Sequence, residues 1–122
     1  MKNTTAITIY HKGADGKYTR KVIQGCFWDD DQQASIAKTG ISNADRLYIS
    51  IPYRECESLM INKSNDLVIK GDVVTEIDNT SSSSISTSIK TLKAEHEVFT
   101  LTSCSFKNHG SRRMWHYELS GK

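Results

Sequence analysis

Residues 5–28 read TAITIYHKGADGKYTRKVIQGCFW, and their pattern decides the fold class. Residues 5–11 alternate, with Ile7 and Ile9 on one side and Thr8 and Tyr10 on the other, which is the period of a half-buried strand. Residues 12–17 (Lys-Gly-Ala-Asp-Gly-Lys) carry two glycines and an Asp, the composition of a turn. Residues 18–28 are rich in β-branched and aromatic side chains and form the returning strand, so a hairpin opens the chain. Gly25 within that strand predicts a bulge or a bend.

The same alternation recurs further on. Residues 46–51 place Leu47, Ile49 and Ile51 on one face, and Pro52, the only proline, ends the strand. Residues 53–65 are a mixed connection. Residues 67–77 read as a strand with Gly71-Asp72 as a bulge, or as a turn dividing two short strands. Residues 78–84 (Asp-Asn-Thr-Ser-Ser-Ser-Ser) are the one low-complexity stretch, and a mobile polar loop is expected there. Ile85, Ile89 and Leu92 then fall at helical spacing, which predicts a short helix over 86–95 with Ser84 or an earlier serine as N-cap. Residues 98–106 and 113–119 are the last strands. In the final one Trp115, Tyr117 and Leu119 share a face, expected to be the core face. About six strands and one helix make a single, mainly β domain over 1–122, a small antiparallel barrel or sandwich. An α+β sheet with the helix covering one face is the other arrangement that fits.

A chain of 122 residues fits one domain with a real core. A net charge of +2 carries no broad basic field for nucleic acid or membrane. Apolar runs are only a few residues long, so no transmembrane helix is expected, and residues 1–10 do not read as a signal peptide. Cys26, Cys56 and Cys104 are odd in number and widely spaced, which argues for reduced, buried thiols rather than a disulfide framework.

Catalytic and metal motifs find no support. The four histidines show no ligand spacing, although the last hairpin could gather Cys104, His109 and His116. There is no GxSxG, and residues 13–17 lack the P-loop spacing. Asp29, Asp30 and Asp31 could hold a hard cation, but adjacent acids without glycine spacing read more simply as a solvated turn. Lys107, Arg112 and Arg113 beside Trp115 and Tyr117 could stack bases, yet the shared face with Leu119 favours core. No catalytic residue, cofactor or metal is expected.

Four stretches, read together, carry a resemblance. They are Thr-Ile-Tyr, Thr-Arg-Lys and Gly25 before Phe-Trp-Asp-Asp within 8–30, Gly-Ile-Ser-Asn-Ala-Asp-Arg-Leu-Tyr-Ile-Ser-Ile-Pro at 40–52, Leu-Val-Ile-Lys-Gly-Asp-Val-Val-Thr-Glu-Ile at 67–77, and 99–122 with Gly-Ser-Arg-Arg-Met-Trp-His-Tyr-Glu-Leu-Ser-Gly-Lys at its end. The chain resembles the small head–tail joining proteins of tailed bacteriophages and prophages, called minor capsid, connector or head-closure (stopper) proteins. The resemblance implies a virion protein of the neck: a β-barrel subunit of a hexameric or dodecameric ring between portal–adaptor and tail, through which DNA passes without sequence-specific binding, with no membrane part. The segment between Pro52 and Leu67 is short and polar where relatives carry Pro and Trp, so no contact role carries over to it. Within that reading, Asp29, Asp30 and Asp31 are expected to face the lumen, where fixed anions repel phosphates. Asp78, Asn79, Ser81, Ser82, Ser83 and Ser84 are expected to form an interaction or gating loop. An oligonucleotide-binding barrel is the alternative function.

Overall fold

The computed structural model describes residues 4–30 and 47–122. Among them run six strands: β1 (Thr4–Lys12), β2 (Tyr18–Asp29), β3 (Leu47–Pro52), β4 (Leu67–Lys70), β5 (Phe99–Lys107) and β6 (His116–Gly121). A helix, α1 (Ser82–Glu95), lies between β4 and β5, and a 3-10 turn at Arg112–Met114 precedes β6. Every pairing is antiparallel, and the order β1-β2-β3-β6-β5-β4 returns to β1, so the sheet closes into a barrel. Closure pairs the strand edges that an open sheet would leave exposed. The expected mainly β fold is present, in its barrel form.

Two bulges keep the inward face apolar. Thr5 pairs with Cys26 and Ile7 with Ile23, so Gln24 and Gly25 together oppose Ala6. Gly25 has φ +69°, the left-handed region that favours glycine. Without the extra residue, Ile23 and Cys26 would point to opposite faces; with it both are buried inside. β5 repeats the device: Leu101 pairs with Gly121 and Ser103 with Ser120, which turns Leu101 and Cys104 to the same side. The interior is filled by Ile7, Ile9, Ile23, Ile49, Ile51, Val68, Phe99, Leu101 and Leu119. It is a packed core and not a channel.

β1 is buried on both faces, where its alternation predicted one. Thr8 and Tyr10 point outward yet are fully buried. A second apolar cluster covers them, built from Tyr10, Leu67, Ile69, Val73, Ile77 and Leu92, with Ile85 and Ile89 packed against it. Residues 71–77 cross this wall as a strap. The Thr8 hydroxyl donates to the Gly71 carbonyl at 2.8 Å and accepts from the Val73 amide at 2.8 Å, and the Tyr10 hydroxyl donates to the Thr75 carbonyl at 2.6 Å. The strand expected over 67–77 therefore ends at Lys70. Gly71, at φ +98°, lifts the chain off the sheet.

The serine-rich segment also differs from expectation. Its polar groups form a hydrogen-bonded joint between strap and helix, and the helix expected over 86–95 begins at Ser82. Asn79 grips the first residue of β2 from both sides: its Oδ1 accepts from the Tyr18 amide and its Nδ2 donates to the Tyr18 carbonyl, each at 2.8 Å. The Asp78 carboxylate accepts from the amide and hydroxyl of Thr80. Ser81 is the N-cap, accepting from the Ser84 amide at 3.1 Å, so Ser82, Ser83 and Ser84 form the first turn of α1. Serine is a weak helix former but a strong cap, and the cap starts the helix four residues earlier than the apolar spacing alone predicts.

Candidate docking surface at one mouth of the barrel

Antiparallel register brings the ends of β3 and β5 and the start of β6 to one mouth of the barrel. Residues 53–66 cross it. Cys56 is buried, and Leu59 and Ile61 pack onto the core, while Met60 between them points out and is 74% exposed. The Tyr53 amide donates to the Trp115 carbonyl at 2.9 Å, and the Tyr117 hydroxyl donates to the Glu57 carbonyl at 3.1 Å, which fastens this crossing segment to β6.

Four rings gather here. Phe106 stands opposite Tyr117 in the β5–β6 ladder, with ring centroids 4.9 Å apart. Tyr53 lies 5.5 Å from Phe106 and 5.4 Å from Trp115, and Phe106 meets Trp115 edge-on at 5.8 Å. The Arg112 guanidinium sits 5.3 Å from the Tyr53 ring centre and 5.9 Å from that of Trp115, and 3.9 Å from the Glu57 carboxylate. Phe106 and Met114 are 40% and 64% exposed. Of the four exposed large apolar side chains among the described residues, Met60, Phe106 and Met114 are all at this mouth; the fourth, Val74, is on the strap. Aromatic rings, methionine and arginine on one patch are the composition of interface centres.

The expectation that Trp115, Tyr117 and Leu119 all face the core needs correction. Leu119 is fully buried and Tyr117 packs on the core edge. Trp115 precedes β6, closes the 3-10 turn and is only half-buried. The period-2 argument fails there because the strand begins one residue later.

The opposite mouth is closed by Trp28 and Phe99, edge-to-face at 5.5 Å. Over them lies a pocket of about 160 Å³, rimmed by Asp30, Lys70, His96 and Glu97. The Trp28 indole Nε1 is buried with no hydrogen-bond acceptor among the described residues. Asp29 ends β2 opposite Tyr48, half-buried, and Asp30 is exposed; Asp31 lies outside the described residues. Asp78, Asn79 and Ser81–Ser84 are at the start of α1, whereas His96, its C-cap, lines the pocket beside Asp30. The two groups singled out from the sequence thus lie at opposite ends of the helix and form no common site.

The His116 Nε2 and Glu118 Oε2 atoms are 2.9 Å apart, and this hydrogen bond holds the Glu118 carboxyl below its usual range. Burial pushes the Cys26 thiol up to about 12, helped by the Glu55 carboxylate and Cys56, and burial also raises Cys104. Among the described residues no three of His, Cys, Asp and Glu come together as metal ligands, and no helix is long and apolar enough to cross a membrane.

These features define a small antiparallel β-barrel protein with a helix strapped to one wall and an aromatic, arginine-bearing surface at one mouth. The chain belongs to the DUF6751 family, a family of unknown function, whose model matches residues 1–122. No curated protein and no solved structure matches it.

Proposed function

We propose that this chain is a structural protein of the bacteriophage neck, a head–tail connector of the stopper type. Copies form a ring between portal–adaptor and tail, retain packaged DNA and dock the tail. The observation that carries the reading is the collection of exposed apolar side chains, Met60, Phe106 and Met114, at one mouth of an otherwise closed barrel. A rigid module with one sticky end suits assembly into a larger body. The two mouths differ in chemistry, as the head-to-tail contacts of a ring require. Because side chains fill the barrel, DNA passes between subunits, along their outer walls, and not through any one of them.

The oligonucleotide-binding alternative draws on the same rings. It is disfavoured because Trp115 meets Tyr53 and Phe106 edge-on, Phe106 lies tilted against Tyr53 and Tyr117, and Arg112 already lies over two of the rings, leaving few open faces for bases. Native mass spectrometry and negative-stain microscopy of the full chain separate the two. Closed rings of six or twelve copies are expected. A monomer at every concentration that binds single-stranded oligonucleotides would overturn the neck reading.

A further inference from the structure

Two surfaces of this chain carry opposite charge around exposed apolar side chains. The first is the turn between β5 and β6. From Lys107 to Met114 it holds Lys107, Arg112 and Arg113 and no carboxylate. Arg112 is engaged with Tyr53, Trp115 and Glu57, and Lys107 lends its charge to the Glu118 carboxylate. Arg113 is exposed and forms no ion pair among the described residues, and Met114 after it is 64% exposed. The second surface is the strap over the wall of β1 and β4. Val73 and Ile77 are buried against that wall, while Asp72, Val74, Glu76 and Asp78 are exposed. Val74, at 79%, is the most exposed large apolar side chain among the described residues. Asp72 lies 4.0 Å from Arg20, but Glu76 and Asp78 form no ion pair among the described residues. The helix brings no lysine to them. Ser88 is the residue of α1 that meets Asp78, its hydroxyl accepting from the Asp78 amide, and Lys90 and Lys93 lie roughly on the opposite face of the helix from Ser88.

Resting on the ring reading, we propose that the ring contact is mouth to strap: the Arg112–Met114 turn of one copy lies on the strap of the next, with Met114 against Val74 and Arg113 paired with Glu76. The occupant is a second copy because one chain supplies both halves of the match. One half is an unpaired guanidinium beside an exposed apolar side chain; the other is an unpaired carboxylate two residues from an exposed apolar side chain. The turn stands at the end of the barrel and the strap along its side, so the contact is heterologous and each copy uses both surfaces once. Like charges placed across such a contact are strongly disfavoured, whereas a reciprocal swap restores attraction.

The test uses the full-length chain in three forms: parent, Arg113→Glu and Glu76→Lys. Both changed positions are exposed, and circular dichroism verifies that the variants stay folded. Each variant alone is expected to assemble about tenfold more weakly than the parent, or worse, by sedimentation velocity. An equimolar mixture of the two is expected to regain assembly as alternating rings, because every contact then pairs either the original charges or the exchanged ones. If the parent forms rings and both single variants form them equally well, this contact is refuted and the basic turn is left to a different partner, while the ring reading stands. If both variants disassemble but the mixture does not recover, the two positions do not face each other and the contact is again refuted. If the parent itself never assembles, the ring reading falls and this contact with it.

Discussion

Asp66 ties three segments together through three hydrogen bonds, and removing it tests the account of how the first mouth is held. Its carboxylate is fully buried. It accepts from the Lys12 amide at 2.7 Å, the Asn62 amide at 2.9 Å and His11 Nδ1 at 2.7 Å. These bonds join the end of β1, the segment crossing the mouth and the start of β4. Asp66→Ala leaves two backbone donors with no acceptor, and each such loss costs about 1–3 kcal/mol. His11, at 30% side-chain exposure, can turn to water, so it adds little. The expected loss is about 2–5 kcal/mol, a large part of the stability of a domain this size. Asp66→Asn should recover only part of it, because the amide group must face one of the donors. Asp72→Ala is the control: its carboxylate is 57% exposed and 4.0 Å from Arg20, so its removal costs about 1 kcal/mol or less. Urea unfolding followed by circular dichroism reads all three. An Asp66→Ala protein within about 0.5 kcal/mol of the parent would refute the reasoning, since surface substitutions stay within that range.

Four further outcomes follow from the same structure. Gly25→Ala should destabilise by about 1–2 kcal/mol through its positive φ; the Glu55 carboxylate in its way can swing aside, so unfolding free energy should show backbone strain alone. Asn79→Ala removes both bonds to Tyr18 and should cost about 1–3 kcal/mol, with hydrogen exchange accelerating first in α1 and the start of β2; protection unchanged in α1 would return 78–84 to the status of a loop. Glu118 has a lowered folded pKa, so its contribution is present at neutral pH and fades as pH falls below the usual carboxylate range through the folded value; Glu118→Gln should flatten that part of the acid unfolding curve, by no more than about 1 kcal/mol. Cys26, raised to about 12 and buried, should resist alkylation in the native protein and react at once in denaturant, as peptide mapping would show.

Much of the barrel is legible in the sequence because strand alternation reports burial directly. Ile7 and Ile9, Leu47, Ile49 and Ile51, and Leu119 all sit where period 2 puts them. Gly25 is legible as a bulge because only a residue tolerant of positive φ fits there. What alternation cannot report is a second layer. Thr8 and Tyr10 read as solvent-facing because the strap and α1 that cover them are distant in sequence. The serine run is legible only in part: the same hydroxyls and carboxylate that make it polar are the groups that cap a helix and close an Asx turn, so the helix begins within it. The aromatic cluster is half legible, as cations beside Trp115 and Tyr117. Its other half, Tyr53 and Met60, comes from residues 53–66, whose mixed composition gives no sign that they fold across a mouth.

The neck assignment is tested most directly in particles. In cells that encode this chain, tailed particles would be induced, purified and analysed by quantitative mass spectrometry beside particles from a deletion strain. The account predicts the chain in intact particles at a ring-like copy number, and, without it, heads that have lost DNA alongside unattached tails. Particles that lack the chain, or a deletion strain that still yields filled, tailed particles, would contradict it.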